Sequence, residues 1–337
     1  ERTRASMSQL QRFFPWMPLA AAVCIGLAPT ALAQASSVDA PAPEVTDEGP
    51  YDLFGLKLHR WSDSEWFDRM GEPVTQPYLF ESPFIHTRAT FVYIHHVFPI
   101  RNDLGAPNLR AVIGKSLDAY ALQARFALTE RLAVIATKDG VLTGDPDGGP
   151  DSRDGYADIA GGLKYAFIDR PDAGYILTGG ATLEFTQGTR DVFQGNGDGI
   201  LRPFVSAGKD YGKFDLLATA GLALPFDDDG NSTVFDWHVN LSYEATENLR
   251  PFFETNCLTY LSGGDASSFG LSGIEGVDVA NLGSEDVAGN DVITGAAGLR
   301  YTFGQHLAVG GAYEFPYFTS RDDLYQERWT FPVTAYL

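Results

Sequence analysis

The sequence predicts an all-β protein: a transmembrane, antiparallel, up-and-down β-barrel of about 12 strands. Three observations support this prediction. Stretches of roughly ten residues alternate apolar with polar or small side chains, the connections between them alternate between long and short, and aromatic residues stand at the ends of the apolar faces. Because successive side chains of a strand point to opposite faces, one face can meet lipid while the other lines a polar lumen.

The stretch 235–244 shows the alternation most clearly. One face carries Phe235, Trp237, Val239, Leu241 and Tyr243, and the other carries Asp236, His238, Asn240, Ser242 and Glu244. A helix would spread both sets around its axis, so the period of two indicates a strand. A soluble sandwich or lipocalin also alternates, but it would then have a charged interior and an apolar exterior. The membrane barrel is therefore favoured.

Five short turns join ten of the expected strands into pairs, and longer, acidic, glycine-rich connections link these pairs to one another and to the first and last strands. They are expected at 86–98, 116–128, 131–139, 155–168, 174–187, 200–210, 213–226, 233–245, 248–262, 291–303, 306–318 and 326–337. Outer-membrane barrels have short periplasmic turns and longer extracellular loops. The loops 99–115, 140–154, 188–199, 227–232, 263–290 and 319–325 are thus predicted to be extracellular, with 263–290 folded either inward as a constriction or outward as a surface.

Aromatic residues bracket several of the apolar faces, as expected at the two edges of a lipid-facing band. Phe214 and Phe226 enclose one such face, and Tyr175 and Phe185 enclose another. The face at 329–337 alternates in the same way up to Leu337.

Three regions are predicted along the chain. Residues 1–33 resemble a cleaved signal peptide, because arginines precede an apolar run that ends in Ala31-Leu32-Ala33. Residues 34–85 are expected to form a periplasmic linker and cap, and 86–337 the outer-membrane barrel. For the aromatic-rich part 51–84, a leader packed at the periplasmic rim is favoured over a short amphipathic helix at 62–70 or a plug.

The composition excludes several classes of binding partner. The net charge of −20 argues against nucleic acid. Of the two cysteines only Cys257 would remain after cleavage, which excludes an intramolecular disulfide and a cysteine-based metal site. The expected partners are outer-membrane lipid, lipopolysaccharide and a small-molecule solute, with no cofactor. The expected location is the bacterial outer membrane.

Charged and polar residues on the inward phase of the strands are the candidate lumen lining. The principal candidates are Arg125, Asp158, Lys164, Glu184, Asp236, His238, Glu244, Arg250, Glu254, Arg300 and Glu314, and the wider set adds Asp118, Arg202, Asp215 and Asn256. In one interpretation these charges pair across a narrow interior and hold the barrel together. In the other they line a polar path on which the excess of acidic groups favours cations or neutral solutes.

Metal and enzyme chemistry have weaker support. Asp145, Asp147, Asp151 and Asp154 lie close together in a glycine-rich loop, but prolines interrupt the spacing that a calcium loop requires. His238 and Ser242 suggest the outer-membrane phospholipase, yet both fall on the lumen face. Adjacent strand residues point to opposite faces, so His95 and His96 cannot chelate one metal ion. No enzymatic activity is predicted.

Two segments carry a resemblance to a known family. Residues 122–135, Leu-Gln-Ala-Arg-Phe-Ala-Leu-Thr-Glu-Arg-Leu-Ala-Val-Ile, and 155–165, Gly-Tyr-Ala-Asp-Ile-Ala-Gly-Gly-Leu-Lys-Tyr, look like strand pairs of outer-membrane transporters associated with phenol meta-pathway degradation. The similarity extends from about Thr87 to the C-terminus. It implies uptake of hydrophobic or aromatic compounds, although the sequence has no clear N-terminal hatch.

The sequence supports two candidate functions. The first is a passive channel for a small solute, gated by loop 263–290. The alternative is a closed barrel that displays acidic extracellular loops as a structural or binding surface. Unpaired lumen charges along a wide water path would favour the channel, whereas Arg125, Arg250 and Arg300 paired to carboxylates would favour the display barrel.

Overall fold

The computed structural model describes residues 52–53, 56–57, 66, 69–100, 113–145, 153–267, 273–274, 276–317 and 324–337. The predicted signal peptide and most of the predicted linker lie outside these residues. Two short strands, Asp52–Leu53 and Leu56–Lys57, pair with each other.

The remaining strands form one closed barrel of twelve, which confirms the predicted fold class. Two of the twelve are each interrupted once and continue after the break. The strands are β1 (Arg88–Val97), β2 (Ser116–Ala127), β3 (Leu132–Lys138 and Val141–Asp145), β4 (Arg153–Tyr156 and Ile159–Arg170), β5 (Tyr175–Phe185), β6 (Ile200–Asp210), β7 (Phe214–Pro225), β8 (Val234–Tyr243), β9 (Leu249–Tyr260), β10 (Asp291–Phe303), β11 (Leu307–Pro316) and β12 (Glu327–Tyr336).

Every barrel strand runs antiparallel to both of its neighbours. The barrel closes where β12 pairs with β1, from Glu327 opposite Val97 to Tyr336 opposite Arg88. Closure satisfies the backbone groups that an open sheet edge would expose to lipid. Two 3₁₀ turns, Pro171–Ala173 and Arg190–Val192, lie in the connections between strands. None of the helices in the described part is long and apolar enough to cross a membrane.

The strands β3 and β4 extend further than expected, so the prediction of a loop over 140–154 was wrong at both ends. Val141–Asp145 pairs with Arg153–Tyr156 beyond a break at Asp139 and Gly140. Gly140 has a φ of +112°, a conformation that favours glycine. The carboxylate of Asp139 accepts the backbone N–H of Leu122 at 2.8 Å, in place of a ladder bond. The alternation of side chains resumes after the break. The break therefore concealed the continuation of the strand in the sequence.

The outer face of the barrel is apolar. Phe167, Leu163 and Leu299 are each more than half exposed although all three are large hydrophobic side chains. On β8 the predicted alternation is confirmed, since Asp236, His238, Asn240 and Ser242 are buried inside. An apolar exterior around a charged interior is the inverse of a soluble protein and suits a lipid bilayer. The protein is therefore placed in the bacterial outer membrane.

The two ends of the barrel differ. At one end, called here the short-turn rim, the strand pairs are joined at 128–131, 171–174, 211–213, 244–248 and 304–306. The other end, the long-loop rim, carries the longer connections. By the usual arrangement of outer-membrane barrels, the short-turn rim faces the periplasm.

Candidate functional site: a plugged lumen

Residues 69–87, called here the plug, lie inside the barrel. The segment begins at the short-turn rim, where the Trp66 indole donates to Asp169 at 2.9 Å. It rises to a tip at which the backbone N–H groups of Leu79 and Phe80 donate to the Gln76 carbonyl, and it then descends to β1. The sequence favoured a leader packed at the periplasmic rim for this region. From residue 69 onward the chain instead lies inside the barrel, as expected for the plug that was one of the alternatives.

The lower part of the plug is anchored by Glu72. Its carboxylate lies 3.0 Å from Nε2 of His86 and 3.6 Å from the guanidinium of Arg300, and it also pairs with Arg88. All four residues are at most 7% exposed. A carboxylate on the plug thus neutralises two cations of the wall.

Glu81 forms a second anchor deeper in the lumen. Its carboxylate oxygens are each 2.7 Å from a wall cation, Arg125 or Lys164. Burial raises the pKa of this carboxyl, but the two cations outweigh that effect and lower it to about 2. The Glu81 carbonyl also accepts the hydroxyls of Ser206 and Thr219 at 2.7 and 2.8 Å.

The rising arm of the plug is held by carboxylates of the wall. Glu254 accepts the backbone N–H groups of Val74 and Thr75 at 2.9 and 2.8 Å. The Gln76 amide donates to Glu314 at 2.7 Å. In the described part, no backbone-to-backbone hydrogen bond joins residues 69–86 to a barrel strand. The plug is therefore docked by side chains and is not part of the sheet.

Other lumen charges pair within the wall itself. Arg202 donates to Asp236 at 2.8 Å. Arg250 lies 2.9 Å from Asp215 and 3.4 Å from Glu244. These ion pairs join wall residues to each other, so their charges remain paired without the plug. Arg202 also donates to the Leu79 carbonyl of the plug at 2.8 Å, and Asp215 also accepts the Gly71 N–H at 3.3 Å.

The principal lumen candidates are mostly buried inside the barrel. Arg125, Asp158, Lys164, Glu184, Asp236, His238, Arg250, Glu254, Arg300 and Glu314 are each at most 7% exposed, whereas the Glu244 side chain is 30% exposed at the short-turn rim. The assignment of Asp118 to the lumen was wrong. It shares its phase with the exposed Tyr120 and accepts from Tyr93 and His95, each at 2.8 Å.

Three wall cations escaped the prediction. Lys138 follows a register shift after Ala136, and such an irregularity changes which residues face inward. Arg88 lies at the start of β1, where the phase is hard to assign. Arg328 follows the phase of β12 opposite to the outward Trp329, so the alternation itself contained the signal.

The described part of loop 263–290 folds inward over the long-loop rim. Its Asp278 is 2.7 Å from the buried guanidinium of Arg328. The hydroxyl of Tyr260 donates to the Gly276 carbonyl at 2.8 Å, and Val277 is buried. Of the two conformations left open for this loop, the inward one is observed.

Between the plug tip and this loop lies a cavity of about 100 Å³, called here the vestibule. Its apolar lining includes Leu79, Phe193, Ile200, Val234, Leu258 and Val277, and its charged lining includes Lys138, Asp158, Glu184, Arg202, Asp236 and Asp278. A mostly apolar cavity with a few convergent charges is the usual form of a small-molecule site.

The arrangement differs from that of a hydrolase. His238 Nδ1 lies 2.9 Å from the Asn256 side chain, while the Ser242 hydroxyl donates to Asp215. Ser242 is thus bonded to a carboxylate and not to the imidazole that would have to activate it. Of the weak calcium candidates, Asp147 and Asp151 lie outside the described residues. Within those residues, no group of three or more His, Cys, Asp or Glu side chains is arranged to hold a metal ion.

Comparison with known proteins gives a likeness of fold. No protein-family model matches the chain, and no curated protein matches it. An outer membrane channel from Pseudomonas putida F1 is 10% identical, with a TM-score of 0.52 over 80% of this chain and 100% of that one. That likeness shows the fold of an outer-membrane barrel.

Two further solved structures are more distant. The NanC porin is 10% identical with a TM-score of 0.45, covering 74% of this chain and 100% of that chain. The outer membrane phospholipase A from Escherichia coli is 11% identical with a TM-score of 0.38, covering 79% of this chain and 98% of that chain.

Proposed function

We propose that this protein is a gated outer-membrane channel for small solutes, in which the plug closes the path. One observation carries the proposal: the part of the plug from 69 to 86 fills the lumen but forms, within the described residues, no backbone-to-backbone hydrogen bond with a barrel strand. It is able to leave its place by breaking side-chain contacts alone, without opening the sheet. The channel would be passive, without a cofactor or energy source.

The expected solutes have a hydrophobic or aromatic body, in keeping with the resemblance to the transporters associated with phenol degradation. The apolar lining of the vestibule supports this class. A solute would enter past loop 263–290, rest in the vestibule, and pass to the short-turn rim after the plug is displaced.

The closed display barrel remains the second candidate, because Arg125, Arg250 and Arg300 are all paired to carboxylates. Two of the three pairs use Glu81 and Glu72, which belong to the plug. These pairs would leave with the plug, and for this reason the gated channel is preferred.

A disulfide across the plug and the wall tests the proposal. A Cβ atom built on Gly71 would lie 3.7 Å from Cβ of Ser242, within the roughly 3.5–4.5 Å that disulfides span. Gly71→Cys with Ser242→Cys is made in a background that carries Cys24→Ala and Cys257→Ala, so that only the introduced thiols can pair. The two single variants are the matched controls.

Single-channel conductance in a planar bilayer is then measured before and after reduction. We expect no conducting steps from the oxidised double variant, steps after reduction, and no response to the reductant from either single variant. Equal conductance in the oxidised and reduced double variant would show that the plug does not close the path. Silence of all the folded variants would favour the display barrel.

A further inference from the structure

The side chain of Lys138 occupies a small cage at the edge of the vestibule. Its ammonium lies 2.6 Å from Oε1 of Glu184, 3.7 Å from Oδ2 of Asp158, and 5.0 Å from the centroid of the Tyr78 ring. Two carboxylates and an aromatic face are the groups that recognise an ammonium in a protein. The cage therefore already holds one ammonium, which comes from the chain itself.

The cage is preorganised by its own hydrogen bonds. The Asp158 carboxylate accepts the backbone N–H groups of Gly188 and Gly195 at 2.8 and 3.0 Å. Glu184 accepts the Tyr78 hydroxyl through its other oxygen. Both residues are at most 4% exposed. These bonds are additional to the contacts that the two carboxylates make with Lys138.

Two further polar atoms of the vestibule have no hydrogen-bond partner among the described residues. One is Oδ2 of Asp278 and the other is Oγ of Ser232, and both residues are buried. A buried polar atom without a partner costs free energy, which a ligand can recover. The remaining lining of the vestibule is mostly apolar.

We propose that the vestibule binds an organic ammonium ion with an apolar or aromatic body, and that Lys138 is its internal stand-in. The ligand's ammonium takes the place of the Lys138 ammonium between Glu184, Asp158 and the Tyr78 ring. Its body lies along the apolar wall. This inference rests on the proposed function for its role in transport, since it names the solute class of that path, but binding itself can be measured independently.

The site also connects the ligand to the gate. Tyr78 is a plug residue, whereas Glu184 and Asp158 belong to the wall or its break. A ligand that competes for Glu184 weakens the bond between Tyr78 and the wall. Binding would then loosen the tip of the plug on the side from which the solute arrives.

Isothermal titration of the folded protein in detergent tests the inference, with 2-phenylethylammonium as the probe and neutral 2-phenylethanol as its matched comparison. We expect the ammonium to bind at least about tenfold more tightly than the alcohol, because only the cation satisfies the cage. Equal binding of the two compounds would overturn the inference.

Variants then locate the binding. Lys138→Met removes the competing ammonium and should tighten binding of the probe about tenfold, whereas Glu184→Gln should weaken it by a similar factor. Lys209→Met is the matched control, because that ammonium lies 5.5 Å from the Tyr175 ring but outside the vestibule. The Lys209→Met variant should bind the probe with unchanged affinity. If Lys138→Met fails to fold, Tyr78→Leu is measured in its place. Tyr78→Leu should weaken binding of the probe, and it leaves the residues of the wall unchanged.

The results separate the two proposals. Ammonium binding with the expected variant pattern would support the site even if no variant conducts. Absence of that pattern, together with conductance controlled by the disulfide, would overturn the ammonium site and leave the gated channel standing.

Discussion

The wall and the plug occupy the same barrel but are held by different forces. The wall is a closed ladder, in which even the seam between β12 and β1 pairs along ten residue positions. The plug touches this wall through ion pairs and side-chain hydrogen bonds. Ladder bonds can be lost only by unfolding strands, whereas side-chain contacts can be exchanged singly with water or a ligand.

The difference also appears in the charges. Pairs within the wall, such as Arg202 with Asp236, need no charge from the plug, although Arg202 also donates to the Leu79 carbonyl. By contrast, Arg125 and Lys164 depend on Glu81 of the plug for their counter-charge. The docked plug thus neutralises Arg125 and Lys164. When the plug is released, these two cations have to be solvated by the water that enters the lumen. Such an arrangement suits two states of one barrel.

The largest expected effect comes from Glu81→Gln. The change leaves Arg125 and Lys164 buried with a neutral partner, and removal of one member of a buried ion pair costs about 3–5 kcal/mol. Since this cost falls on docking, the frequency of channel opening should rise at least about a hundredfold. The measurement is single-channel recording, with the exposed Glu130→Gln as the control.

A second substitution sharpens this test. Lys164→Met in the Glu81→Gln background removes one of the stranded cations, so it should restore part of the docking and lower the opening frequency again. An opening frequency that does not respond to Glu81→Gln would contradict the role of this anchor.

The converse change disturbs the wall and spares the plug. Val239 lies midway along β8 on the outward phase, and an arginine at the bilayer midplane costs a barrel roughly 2–4 kcal/mol. Val239→Arg should lower the free energy of unfolding in a urea titration by this amount. The opening frequency of the folded fraction should not change, and Val239→Ile serves as the control. A rise in opening without a loss of stability would mean that wall and plug are not separable.

The wall was predictable because its signal is local. The period of two along 235–244 identifies the inward and outward faces within a single strand, and the short turns limit the register. The errors occur where that signal is interrupted or applied to the wrong phase. The break at Asp139 and Gly140 hid the continuation of β3. Asp118 was placed on the inward phase together with Arg125, although it shares the outward phase with Tyr120.

The plug was not predictable in the same way. Residues 69–87 have no repeating period, and their partners are far away in sequence, as with Thr75 and Glu254, which are 179 residues apart. Such contacts exist only after the barrel has closed. Even so, Glu254, Arg125 and Arg300 were found as lumen residues, because their strands were assigned correctly. The alternation predicted the lumen side chains, but not the segment that covers them.

The smallest expected effect is that of pH, and it separates wall from plug without a mutation. Docking lowers the pKa of Glu81 from 4.5 to about 2. A carboxyl whose pKa is lower in the docked state stabilises docking above pH 4.5, and this contribution is lost as the pH falls toward 2. When the pH falls from 7 to 3, protonation of Glu81 alone should reduce the equilibrium constant for docking by about 30-fold. Opening frequency is recorded at both pH values, and in Glu81→Gln this component of the pH dependence should disappear. An equally steep response in that variant would assign the effect to another group.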